Sequence, residues 1–174
     1  MYNFFIVVIL LSKILFAQDS LVDSLKTIRA FQFVDTINAS SGYVSDKQFK
    51  YIKEYGFEHV ISLLPGDQSY EDSVVSSLGM TYTQIEVNWK EPTVVNVQNY
   101  FSDMKKYSGK KVFLHCMANM RASAFMFLYR TTQLGVNKKT AGELMYEIWD
   151  PKNNNQWDNL IKTVLETYGL GSEY

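Results

Sequence analysis

Cysteine is nearly absent from this sequence: Cys116 is the only one among 174 residues. No internal disulfide can form, which excludes a disulfide-stapled secreted scaffold. Histidine is also scarce, and the two histidines lie far from each other along the chain. This spacing is not that of a metal site, and we expect no metal and no other cofactor. The formal net charge of -1 gives no field that would gather nucleic acid, so any anion must be bound at a local site.

Prolines are few as well, and the three that occur are scattered through a chain without repeats or low-complexity tracts. The composition is 47% apolar and 20% charged, which is typical of a globular protein. The length suits one domain with a full hydrophobic core. We therefore expect a single domain. The composition does not indicate its oligomeric state.

The N-terminus differs from the rest of the chain. An unbroken apolar run from Phe4 to Leu11 is too short to span a bilayer comfortably, and Ala17 offers a cleavage point before a polar segment. We interpret residues 1–17 as a signal peptide, 18–29 as an N-terminal extension and 30–170 as the catalytic domain. The protein is then periplasmic or secreted, without stable membrane association after cleavage; an uncleaved membrane anchor is the alternative.

Short apolar runs alternate with helical stretches from residue 31 onward. Such alternation predicts an α/β fold with a mostly parallel central sheet flanked by helices. Ser40 to Gly42 reads as a turn, and Ser45 to Gln48 fits a capping box. Strands are predicted at 31–34, 59–64, 82–87 and 111–115, and helices at 45–55, 69–78, 94–108, 121–134, 138–149 and 157–168.

One segment combines residues that carry chemistry. His115 and Cys116 end a predicted strand, and Arg121 opens the predicted helix that follows. Backbone N–H groups at a helix start converge on one point and, with the helix dipole, favour a bound anion and a thiolate. Arg121 can add a planar pair of donors to an oxyanion. The loop has no glycine, and Asn119 is the residue that adopts a positive φ most cheaply.

This arrangement resembles the signature of cysteine-dependent protein tyrosine and dual-specificity phosphatases. Segments 36–45 and 56–63, together with Trp89, resemble the bacterial branch that includes domains fused to β-lactamase-like hydrolases. The resemblance covers roughly residues 30–165. It implies a phosphatase-like fold and hydrolysis of phosphoric monoesters through a phosphocysteine, on a phosphorylated protein or a small phosphate ester. Cys116 is then the nucleophile, and phosphate is held by Met117, Ala118, Asn119, Met120 and Arg121.

The loop departs from that family's pattern in its length. Four residues separate Cys116 from Arg121, where the phosphatase signature has five. The shorter spacing resembles rhodanese-type sulfurtransferases, in which Cys116 would carry a persulfide. A non-catalytic module that binds phosphate or a phosphopeptide is a further alternative.

The general acid is less clearly marked. In the resembling enzymes it comes from the loop before the preceding helix, here residues 88–93, and Glu91 is the only carboxylate there. Asn88 stands where an acid is expected, and Glu86 and Asp67 are the fallback candidates.

Supporting roles are expected for His115, which we predict to orient the loop through hydrogen bonds, and for Ser123, whose hydroxyl lies one position later than in phosphatases. Trp149 and Trp157 are predicted to pack the last two helices, and His59 to pack in or beside its strand.

Overall fold

The computed structural model describes residues 18–174, which form seven helices and five strands. The predicted signal peptide lies outside these residues. The helices are α1 (18–26), α2 (Asp46–Glu54), α3 (Ser69–Ser77), α4 (Val94–Lys106), α5 (Met120–Thr132), α6 (Lys138–Ile148) and α7 (Asn155–Thr167), with a 3-10 turn at Pro151–Asn153. The strands are β1 (Gln32–Phe33), β2 (Asn38–Ser41), β3 (His59–Ser62), β4 (Thr81–Gln84) and β5 (Val112–His115).

The five strands form one sheet in the order β1-β2-β5-β3-β4. Only β1 is antiparallel to its neighbour, and the other pairings are parallel. At the centre, Phe113 of β5 pairs with Ala39 of β2 on one side and Val60 of β3 on the other. This architecture confirms the predicted α/β class with a mostly parallel sheet.

The prediction of a turn at Ser40 to Gly42 is wrong. Ser40 and Ser41 are buried in β2, where they pair with Leu114 and His115 of β5. Serine and glycine are typical of turns, but pairing against a central strand outweighs that local preference. The hydroxyl of Ser41, at the end of β2, donates a hydrogen bond to the carbonyl of Gly42 at 2.9 Å.

The sheet separates two hydrophobic cores, and β5 contributes to both because its side chains alternate between the faces. Val112, Leu114 and Cys116 belong to the core beneath α4, α5 and α7, whereas Phe113 belongs to the core beneath α2 and α3. Cys116 therefore leaves the strand toward α5.

Helix α5 is the buried centre of the first core, as its apolar sequence predicts. The capping box of α2 is also confirmed, with the amide and the hydroxyl of Ser45 both donating to Oε1 of Gln48, at 3.0 and 2.9 Å. Residues before the predicted domain boundary take part in the packing, because Leu25 and Ile28 are buried in the second core. Among residues 18–174, no helix has both the length and the apolarity needed to cross a bilayer.

Candidate active site

The loop from β5 to α5 has the backbone shape that its sequence predicts. Asn119 is the N-cap of α5 and has a φ of 62°, in the left-handed region. Its side chain does not cap the helix; instead Nδ2 donates to the carbonyl of Ala30 at 2.7 Å. The segment before β1 thus holds the loop at its tightest residue.

The end of β2 supports the same loop from its other side. Gly42 forms an isolated antiparallel bridge with Ala118, and the amide of Tyr43 donates to the carbonyl of Met117 at 3.2 Å. A Cβ at Gly42 would lie 3.0 Å from the carbonyl oxygens of both Arg29 and Met117. Only glycine allows these backbones to approach so closely.

Several amides of the loop point at no protein acceptor. Within residues 18–174, the N–H groups of residues 117, 118 and 120–122 donate no hydrogen bond, and the first amide of α5 that does is that of Ser123, to Asn119. Unpaired N–H groups at a helix start carry partial positive charge and bind oxyanions. The loop therefore offers donors of the kind that a phosphate group requires.

Arg121 is buried and anchored to the sheet. Its Nη1 donates to the carbonyls of Leu63, 2.6 Å away, and Val87, 2.9 Å away, just beyond the ends of β3 and β4. Within the described residues, Nε and Nη2 donate to no acceptor. One edge of the guanidinium is thus fixed while the other remains free for a bidentate contact with an anion.

Cys116 lies at the bottom of this loop. It has 1% of its surface exposed, its sulfur is a free thiol, and its amide donates to the carbonyl of Ser41 at 3.2 Å. Met117, the next residue, is 49% exposed, so the loop rises from the core to the surface within one residue.

His115 lies on the opposite face of the sheet from Cys116. Its ring packs edge-on against Phe49, and Nε2 lies 3.0 Å from Oε1 of Glu71 on α3. The two atoms are close, but their geometry is not that of a hydrogen bond. Neither ring nitrogen makes an aligned hydrogen bond within the described residues. The ring therefore contacts a carboxylate rather than the loop.

Glu71 also accepts a hydrogen bond from the Tyr82 hydroxyl, at 2.8 Å. Burial acts to raise the pKa of Glu71, but the close contact with His115, together with hydrogen bonds from Tyr82 and Ser62, outweighs it and lowers that pKa. Burial, with the charge of Glu71 adding to it, raises the pKa of Tyr82. Glu71 is therefore a carboxylate held by a tyrosine donor beside a histidine.

Three tryptophans connect the loop of residues 88–93, which we call the acid loop because it contains the candidate acid Glu91, to the helices. The rings of Trp149 and Trp157 each lie 5.2 Å from that of Trp89. Trp157 donates to the carbonyl of Trp89, and Trp149 donates to the carbonyl of Met120, both at 3.0 Å. The predicted packing role of Trp149 and Trp157 is confirmed, and through it residues 88–93 are fixed next to the start of α5.

The three candidates for the general acid differ in whether their carboxylates accept hydrogen bonds. Glu91 is exposed, and its carboxylate accepts no hydrogen bond within the described residues. Glu86 accepts from the amide of Gly66 at 3.0 Å, and Asp67 accepts from that of Ser69 at 2.9 Å. Asp67 therefore caps a local turn and Glu86 ties its segment to Gly66, whereas the carboxylate of Glu91 is unengaged within the described residues.

Ser123 donates its hydroxyl to the carbonyl of Met120 at 3.1 Å, within the first turn of α5. Sequence reasoning missed Glu71, Tyr82 and the carbonyls that anchor Arg121. No local motif marks these partners, because they come from other strands and from α3 and meet the loop only through the parallel sheet.

Comparison with solved structures places this geometry in a family. A DUF442 candidate phosphatase from Shewanella putrefaciens CN-32 is 33% identical to this chain, with a TM-score of 0.77, over 84% of this chain and 98% of that one. The chain belongs to the DUF442 family. The predicted resemblance to cysteine-dependent, tyrosine phosphatase-like proteins is confirmed, while the likeness to domains fused to β-lactamase-like hydrolases stays a prediction.

Less similar solved structures share the fold. TpbA from P. aeruginosa has a TM-score of 0.66 at 13% identity, over 83% of this chain and 92% of its own. The core catalytic domain of the PP-IP phosphatase SIW14 from S. cerevisiae has a TM-score of 0.65 at 12% identity, over 82% of this chain and 94% of its own. No protein-family model matches the chain, and no curated protein sequence does.

Proposed function

We propose that this protein hydrolyses phosphoric monoesters through a phosphocysteine on Cys116. The observation that carries the proposal is the loop that follows Cys116, whose amides at residues 117, 118 and 120–122 are unpaired among the described residues and whose Arg121 keeps one edge of its guanidinium unpaired. Membership of the DUF442 family, which includes a candidate phosphatase, supports the same chemistry.

In the proposed reaction the Cys116 thiolate attacks phosphorus in line with the ester oxygen. An S–P bond forms as the P–O ester bond breaks, and the loop amides and Arg121 stabilise the charge on the three remaining phosphoryl oxygens. Water then attacks phosphorus, which releases inorganic phosphate and restores the thiolate.

Glu91 is the proposed general acid that protonates the leaving oxygen. Its loop is held beside α5 by the tryptophan cluster of Trp89, Trp149 and Trp157, and its carboxylate is exposed and unengaged within the described residues. An acid matters most when the leaving group is a poor one. Substrates with alkyl leaving groups should therefore depend on Glu91 more than aryl phosphates do.

The proposed substrates are a phosphorylated protein or a small phosphate ester. TpbA has been solved in complex with phosphotyrosine, and SIW14 is a PP-IP phosphatase. Export through the segment 1–17, to the periplasm or outside the cell, remains part of the proposal. Identification of the N-terminal residue of the mature protein tests it, and a mature chain that starts at Gln18 is the expected result.

Hydrolysis of p-nitrophenyl phosphate by the purified protein tests the function. We expect turnover by the wild type and none by Cys116→Ser, and brief reaction followed by acid quench should trap phosphate on sulfur. Thiosulfate-to-cyanide sulfur transfer without phosphate release would instead favour the rhodanese reading, which the four-residue loop motivates. Thermal stabilisation by phosphate with neither activity would leave a binding module.

A further inference from the structure

The methionines of this protein differ in how far solvent reaches them. Four are buried in the two hydrophobic cores, with 1% to 4% of their surface exposed: Met80, Met104, Met126 and Met145. Met117, in the loop that follows Cys116, is 49% exposed, and Met120 at the start of α5 lies between these extremes. Among residues 18–174, the most exposed thioether is therefore that of the residue next to the proposed nucleophile.

Exposure decides which thioether a dissolved oxidant reaches first. With hydrogen peroxide, the sulfur lone pair attacks one peroxide oxygen, an S–O bond forms and the O–O bond breaks. The departing hydroxide takes the proton left on the transferred oxygen, so the products are methionine sulfoxide and water. The sulfur is oxidised and the peroxide is reduced. Met117 should therefore react before the four buried methionines.

The backbone of Met117 belongs to the candidate phosphate loop. Its carbonyl accepts from the amide of Tyr43 at 3.2 Å, whereas its own amide donates to no acceptor within the described residues. The amides of Ala118 and of residues 120–122 are unpaired in the same sense. Oxidation converts the flexible, apolar side chain of Met117 into a polar one that carries an acceptor oxygen. That oxygen would lie on the same residue as the first of these donors.

We propose that Met117 is an oxidation site that controls anion binding, because its sulfoxide oxygen competes with phosphate for the unpaired amides of the loop. The inference rests on the proposed function of this loop. The reduced protein binds a phosphate group on these donors, and the oxidised protein binds it more weakly. Methionine sulfoxide reductases convert the sulfoxide back to the thioether, so the control is reversible.

The first part of the test measures where oxidation occurs. It uses Cys116→Ser, in which peroxide cannot modify the nucleophile. The folded protein is treated with hydrogen peroxide for increasing times and digested, and mass spectrometry follows the addition of one oxygen to each methionine. We expect Met117 to be oxidised well before Met104. Oxidation of Met104 at the same rate as Met117, or faster, would overturn the proposal.

The second part measures what the oxidation does. Isothermal titration calorimetry gives the Kd for inorganic phosphate before and after Met117 is oxidised. We expect the Kd to rise about tenfold, the effect of losing one hydrogen bond to a charged group. Methionine sulfoxide reductase with dithiothreitol should restore the original value. A Kd that stays the same after complete oxidation of Met117 would overturn the proposal.

Met117→Leu and Met120→Leu, each combined with Cys116→Ser, are the matched pair of variants. Each is compared only with its own untreated form, since both residues belong to the loop. Peroxide should leave the Kd of Met117→Leu unchanged and raise that of Met120→Leu. An equal rise in Met117→Leu would overturn the proposal. If that variant fails to fold by circular dichroism, partial oxidation decides: a Kd that follows the oxidation of Met120 rather than of Met117 would overturn it.

The outcomes separate this inference from the proposed function. Hydrolysis of p-nitrophenyl phosphate by the wild type, together with a Kd that is insensitive to oxidation, would refute only the role of Met117. A Kd that rises on oxidation in a protein without phosphatase activity would refute only the proposed function. A reduced protein that does not bind phosphate would overturn both.

Discussion

The two ends of the central strands treat their buried polar groups differently. At the amino end, His59 has a partner on each ring nitrogen, Thr81 and Asp103, and its ring stacks on Tyr107 with 3.6 Å between centroids. At the carboxyl end, the amides of residues 117, 118 and 120–122 and the ring nitrogens of His115 lack aligned partners within the described residues.

This difference distinguishes structure from function within one sheet. A buried polar group without a partner costs free energy, so a folded protein retains one only where another interaction offsets that cost. At the amino end, the hydrogen bonds of His59 stabilise the fold. At the carboxyl end, the unpaired amides are the groups that the proposed phosphate would engage.

Among variants that keep Cys116, the largest expected effect comes from Arg121→Lys at the carboxyl end. A lysine lacks the planar pair of donors, and we expect kcat for p-nitrophenyl phosphate to fall about 10²–10³-fold, as when an oxyanion-stabilising donor is lost. Arg130→Lys is the control on the same helix, since the Arg130 side chain makes a single hydrogen bond among the described residues, to the carbonyl of Ala141 at 3.3 Å. Near-normal kcat in Arg121→Lys would contradict the assigned role.

Gly42→Ala should disturb the loop without touching its side chains. The new methyl group would meet two carbonyl oxygens at 3.0 Å, so the loop must shift, and we expect a loss of activity and about 1–3 kcal/mol of stability. Gly142→Ala on α6 is the control, because its nearest neighbour is the mobile ring of Tyr146 at 3.2 Å. Full activity in Gly42→Ala would show that the loop tolerates displacement.

Asp103→Ala tests the amino end. It removes the partner of a buried histidine nitrogen, and we expect the free energy of unfolding in urea to fall by about 1–3 kcal/mol. The value of kcat should remain that of the wild type. A fall in kcat with little loss of stability would mean that the two ends of the sheet are coupled.

The smallest expected effect is the pH dependence of stability due to Glu71. Its pKa in the folded protein lies below the ordinary value of 4.5, so its contribution is present above that pH and is lost as the pH falls through the folded-state value. Urea unfolding of wild type and Glu71→Gln at pH 7, 5 and 3 should give a difference that shrinks with acidification. A difference in unfolding free energy that does not change with pH would show that the folded protein does not stabilise the ionised carboxylate of Glu71.

The sequence was sufficient for features that depend on neighbours in the chain. The strand, loop and helix around Cys116 and the left-handed Asn119 follow from local chemistry. The capping box at Ser45 does too. Each of these needs only residues within a few positions of one another.

Features that depend on the sheet could not be predicted. Ser40 and Ser41 lie in a strand because β5 pairs with them, although their residue types favour a turn. The contacts of Glu71 with His115 and of Arg121 with Leu63 arise only when parallel strands bring distant segments to the same end of the sheet.

The tryptophan cluster gives this protein an internal optical reporter. The chain has three tryptophans, and Trp89, Trp149 and Trp157 all belong to the one cluster that bridges the acid loop and α5. Tryptophan fluorescence, excited selectively over that of the 12 tyrosines, therefore originates entirely from the cluster beside the loop that follows Cys116. Oxyanion titrations can follow this region from tryptophan emission with no label attached.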